Sequence, residues 1–191
     1  MELNNELTAQ QSLRIITETM NNNRRDILRT SAKYYVLWGA LLTAMSLTVF
    51  LLWHFTGKPV WNLLWFAMPA IGYPLAFLLG KSDEAVPNNL IGKPTGYVWG
   101  LFGALSITLS AIAIFLVPMP ITLIIVILFG CAESVTGLLL KNWPVIIGGF
   151  ILAVGGAVAA VLLKGAEQIL LFTLAGIVLM VTGVIVKRQY K

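Results

Sequence analysis

Six apolar runs, each of about 20 residues, limit what this chain can fold into. They are Tyr35–Phe55, Val60–Leu79, Tyr97–Val117, Ile121–Leu140, Pro144–Leu163 and Ile169–Val186. A hydrocarbon core of about 30 Å takes roughly 20 residues of helix to cross. Lipid offers backbone amides no partner, so a spanning segment is either a helix or part of a closed barrel. None of these runs alternates polar and apolar residues as barrel strands do. The expected fold is therefore all-α: a polytopic transmembrane bundle of six helices, with an amphipathic helix before it. Composition agrees, because 58% of the residues are hydrophobic and only 11% charged, about half the charged share of a soluble domain.

Charge placement sets the expected orientation. Of the 13 lysines and arginines, only Lys58 and Lys164 fall on the side opposite the N-terminus. Short loops rich in lysine and arginine stay cytoplasmic, so both termini are expected inside. The net charge of +5 then suits anionic inner-leaflet lipids, and no nucleic acid is needed to explain it. No cleavable signal is expected: the first apolar run starts at Tyr35 and is too long for a signal core. Cys131 is the sole cysteine, which excludes an intrachain disulfide.

The chain divides into residues 1–34, a cytoplasmic amphipathic helix, and residues 35–191, the transmembrane domain. Thr8-Ala9-Gln10-Gln11 fits a capping box. Beyond it Leu13, Ile16, Met20 and Ile27 recur at helical spacing, with a weak point at Asn21-Asn22-Asn23. Arg24, Arg25, Arg29 and Lys33 form a cytoplasmic interface. Such a helix either lies along the inner membrane surface or docks a protein partner or a second copy of the chain.

Within the spans, Pro69, Gly72 and Pro74 predict a kink in the second helix. Gly96, Gly100, Gly103, Ser106 and Ser110 give the third helix a small-residue stripe suited to close packing. A turn-rich loop around Pro87 separates the first hairpin from the other four helices. The Gly80-Lys81-Ser82 tripeptide is not a phosphate loop, since residue 75 is leucine where that motif needs glycine.

Several short motifs are similar to those of an uncharacterised family of small bacterial six-span membrane proteins. They are Leu37-Trp38-Gly39, Leu64-Trp65-Phe66-Ala67-Met68-Pro69, and Thr136-Gly137-Leu138-Leu139-Leu140-Lys141 with Pro144 and Gly148-Gly149 after it. The resemblance implies a bacterial inner-membrane location and this architecture, with no assigned activity. Some members carry Pro-Gly-His late in the last helix. Val181-Thr182-Gly183-Val184 stands there in this chain, so no histidine role carries over.

Glu133 is the one charged side chain expected within the hydrocarbon, on the stretch Gly130-Cys131-Ala132-Glu133-Ser134-Val135-Thr136-Gly137. Intramembrane ionisable groups mark ion or proton paths, or pair with other polar groups. In a structural reading the protonated acid donates a hydrogen bond to Thr43, Ser46, Ser106, Ser110 or Thr173. In a functional reading it exchanges a proton or cation in a polar pocket shared with Ser134, Thr136, Gly130 and Gly137. Gly72 and Pro69, expected at similar depth, could supply broken backbone to that pocket.

Enzyme chemistry finds little support. The only histidine, His54, lies at the outer end of the first span, far from Ser134. Asp26 and Asp83 both fall in cytoplasmic segments, so no intramembrane acid pair forms. No metal-ligand spacing appears, and no cofactor is implied. The leading expectation is a non-enzymatic accessory or regulatory membrane protein with a partner-binding cytoplasmic helix. The alternative is a small proton-coupled transporter or channel using Glu133.

Overall fold

The computed structural model describes residues 9–81 and 92–189. The capping box at Thr8 and the turn-rich stretch around Pro87 lie outside them. Among the described residues, six helices are long and apolar enough to cross a membrane. They are α1 (Ala9–Thr56), α2 (Pro59–Gly80), α3 (Gly92–Phe115), α4 (Ile121–Leu140), α5 (Trp143–Leu162) and α6 (Gly165–Gln189). Large side chains such as Phe77, Leu101, Val158 and Leu174 stay exposed around the outside. So much contiguous apolar surface belongs in lipid rather than water. The chain is a multi-pass membrane protein by length and composition.

The first helix does not break at Asn21-Asn22-Asn23; it runs unbroken from Ala9 to Thr56. Asparagine costs a helix only about 0.7 kcal/mol or less per residue. Arg24 also ties this turn together, its Nη1 donating to Asn21 Oδ1 at 3.3 Å. Residues 9–34 and the first span are thus one element.

The irregularity expected in α2 begins earlier than predicted. Pro59–Phe66 forms a 3-10 helix, and the regular helix then continues from Ala67 to Gly80 through Pro69 and Pro74. Pro59 stands in the first turn, where its missing amide costs nothing. Gly72 is the only buried residue of Ala67–Gly80.

Two close helix pairs make the core. In the first, α1 meets α6 across Gly39, Gly176 and Gly183: a Cβ on Gly39 would lie 2.6 Å from the Gly176 carbonyl oxygen. In the second, α4 meets α5 across Gly130, Gly137 and Gly149, and a Cβ on Gly137 would lie 2.6 Å from the Ile146 amide nitrogen. Lipid supplies little hydrophobic drive between helices, so close backbone approach and dispersion hold such pairs. Contacts between α5 and α6 join them. Asn142 turns the chain sharply between α4 and α5, its side chain accepting from the Val145 amide. Its Nδ2 also donates to Gln189 Oε1 at 3.3 Å, tying the end of α6 to that turn.

The other two helices flank the core. Along α2, Gly72 packs against the Trp38 ring of α1. The stripe expected to pack α3 closely behaves differently. Among the described residues no neighbouring atom lies within 4 Å of a Cβ on Gly96 or Gly100, and Gly103 meets only Tyr73 Oη at 3.8 Å. Aromatic edges hold α3 instead: Trp99 and Phe102 stack against Phe129 of α4 at 5.8 and 5.4 Å between centroids.

Candidate intramembrane carboxyl site

The buried face of α4 carries Phe129, Gly130, Ala132, Glu133, Thr136, Gly137 and Leu140. The helical repeat that buries the apolar members therefore carries Glu133 inward too. It is 0% exposed. Neither carboxyl oxygen has a hydrogen-bond partner among the described residues.

Its surroundings come from three other helices. Gly148 of α5 leaves room for it: a Cβ there would lie 3.2 Å from Glu133 Oε1 and 3.3 Å from Thr182 Oγ1 of α6. Tyr35 of α1 lies within electrostatic reach of the carboxyl. The Tyr35 hydroxyl is itself buried and without a partner. A carboxyl and an alcohol thus stand around a glycine where α4, α5 and α6 meet, and Tyr35 of α1 packs on Gly183, the residue after Thr182. Among the described residues no three His, Cys, Asp or Glu side chains come together, so Glu133 contributes a single carboxyl.

The hydroxyls proposed as partners for Glu133 are engaged elsewhere or stand apart. Thr43 Oγ1 donates to the Gly39 carbonyl at 2.8 Å. Ser46 and Thr173 bond each other at 2.8 Å, fastening α1 to α6. Ser106 Oγ is buried and unpartnered, and does not reach the carboxyl. The residues grouped with Glu133 have other tasks as well. Thr136 donates back to the Ala132 carbonyl at 2.8 Å, and Ser134 donates across to the Ile146 carbonyl at 3.4 Å. Gly130 and Gly137 admit the α5 backbone. Pro69 stays within α2, and Gly72 faces Trp38 rather than the carboxyl.

No protein-family model, curated protein or solved structure matches the chain. The residues themselves must therefore carry the functional reading.

Tyr35, Gly148 and Thr182 were missed as members of this site. Tyr35 reads in sequence as an interfacial belt residue, and its distance in sequence from Glu133 hides their proximity. The Gly148-Gly149 doublet was the available signal: Gly149 admits the α4 backbone while Gly148 opens beside the carboxyl.

The four basic residues read as one cytoplasmic interface separate into two kinds. Arg24 Nε donates to the Leu139 carbonyl at 3.2 Å, and Lys33 Nζ donates to the Leu79 carbonyl at 2.8 Å. Both acceptors lie in the last turn of a helix, where carbonyls lack intrahelical donors. Arg25 and Arg29 are exposed.

In chemical terms the site can hold one proton. A protonated carboxyl is both donor and acceptor, whereas a carboxylate accepts only. An ionised group buried without a partner costs several kcal/mol. The closed packing accommodates the neutral acid, and losing its proton requires a cation, water or a rearranged neighbour.

Proposed function

We propose that the chain is a non-enzymatic bacterial inner-membrane protein with both termini inside. In this reading it conducts protons, alone or coupled to a solute, with Glu133 as the group that takes up and releases them. One observation carries the reading: a fully buried carboxyl lies among four helices with both oxygens unpartnered. An acid kept only to fasten helices would be bonded, since an unsatisfied buried group costs about 1–3 kcal/mol. A group that must change partners is left uncommitted in the resting packing. The orientation rests on the basic residues gathered near one end of the spans, including Lys33, Lys141, Lys187 and Arg188.

The purified protein in proteoliposomes under a pH gradient should dissipate it faster than empty vesicles. Glu133→Gln keeps size and polarity but cannot ionise, and should return the rate to that of empty vesicles. A wild-type rate no higher than that of empty vesicles, or a flux unchanged by the substitution, would overturn the proposal.

A second reading keeps the partner-binding helix. Leu13 and Ile16 are 64% and 55% exposed on the part of α1 before Arg24, with Arg25 and Arg29 exposed nearby. A photo-crosslinker at Leu13 in native membranes should give one adduct of discrete mass, identified as a single protein or as the dimer. Capture of lipid alone would support a helix lying on the membrane surface instead.

A further inference from the structure

We propose that residues 24–33 of α1 form a clasp that closes the Glu133 site from the end of the bundle where Asn142 meets Gln189, with Arg24 as the latch. The inference rests on Glu133 being the working group and concerns how that group is reached.

The clasp precedes the first apolar run, yet its inner side is deeply buried. Ile27, Leu28 and Ala32 are 6%, 1% and 1% exposed. They belong to one apolar cluster with Leu140, Val145 and Val186, none of them more than 2% exposed. These side chains come from the ends of α4 and α6 and the start of α5. By helical rise the end of α4 lies about 10 Å from Glu133, against about 18 Å to its start at Ile121. The shorter way out of the site therefore passes beneath Leu28.

The other way is more firmly shut. Beyond Glu133 toward the start of α4, Leu42, Val49, Phe129 and Ala175 are buried, and the two hydroxyls there, Ser46 and Thr173, satisfy each other. On the clasp side α1 is held by charged side chains instead. Its fastenings include the Arg24 bond to the Leu139 carbonyl and the Lys33 bond to the Leu79 carbonyl. Bonds from partly exposed cations are weakened by water and are the kind that open readily.

The clasp also reaches the site through the helix itself. Leu28, Ala32 and Tyr35 fall at i, i+4 and i+7, on one face of α1. A Cβ on Gly183 would lie 2.8 Å from Tyr35 Cβ and 2.9 Å from the Ala32 carbonyl oxygen. With so little slack, lifting the clasp away from α6 carries Tyr35 away from Glu133. Access and the environment of the carboxyl change together.

The test is labelling of Glu133 in proteoliposomes by a water-soluble carbodiimide, quantified by mass spectrometry of the peptide that contains it. A lipid-soluble carbodiimide serves as the measure of intrinsic reactivity. Arg24→Ala should raise the water-soluble labelling rate about tenfold, the scale of losing one charge-assisted hydrogen bond from the closed state. Leu28→Ser should raise it further, and Arg25→Ala, at an exposed position, should leave it unchanged. Equal rates in wild type and Arg24→Ala would overturn the clasp, even where Glu133→Gln abolishes flux. If Glu133→Gln leaves flux intact, the proton reading fails whatever the labelling shows.

Discussion

Glu133→Met should make the folded bundle more stable, by about 1–3 kcal/mol, while abolishing proton movement. The expectation runs against the usual effect of a core substitution. Methionine has a similar length and adapts to irregular space, and the group it removes makes no hydrogen bond in the core. Removing one partner of a satisfied pair leaves the other stranded, but here there is no pair to break. Unfolding of purified wild type and variant in a denaturing detergent series measures the difference. A fall in stability of similar size would mean that the carboxyl fastens helices, and the structural reading would then hold. A gain in stability with a loss of flux is the pattern of a strained working group.

The largest loss of stability is expected at Gly176→Leu. A Cβ at Gly176 would stand 2.6 Å from the Gly39 carbonyl oxygen and 2.8 Å from the Thr43 amide nitrogen. Both are backbone atoms, so no change of rotamer makes room and α1 must move off α6. That separation also opens the Ser46–Thr173 bond and the contact between Gly183 and Tyr35. Ordinary overpacking costs about 1–3 kcal/mol, and this substitution should reach at least the top of that range. Gly100→Leu on α3 is the matched control. Nothing lies within 4 Å of a Cβ there, and a surface change of this kind stays within about 0.5 kcal/mol. The two variants, compared in the same detergent series, separate helix packing from the general effect of replacing glycine by leucine. Equal losses at both positions would refute the packing assigned to the α1–α6 pair.

That pair of glycines also shows where sequence reading stops. The run Ile121–Leu140 coincides with α4 because hydropathy reports directly on the cost of leaving lipid. Small-residue stripes report less, since they permit close approach without naming a partner. Gly96 and Gly100 belong to a stripe suited to close packing, yet it is Gly149 and Gly176, on other helices, that meet another backbone. Glu133 stood out from its sequence alone, being a costly residue in an apolar run. Its neighbours Tyr35, Gly148 and Thr182 depend on which helices touch. Arg24 and Lys33 read with Arg25 and Arg29 as one cytoplasmic interface because nothing local signals a carbonyl from a helix distant in the chain.

The unbroken course of α1 has a mechanical consequence. A helix of 48 residues is about 72 Å long at 1.5 Å per residue, well over twice the thickness of the hydrocarbon it crosses. With no joint at Asn21-Asn22-Asn23, a sideways push near Leu13 is not absorbed along the way. It acts as torque about the α1–α6 contact, and the first thing it pries at is the seat of Leu28 against Leu140, Val145 and Val186.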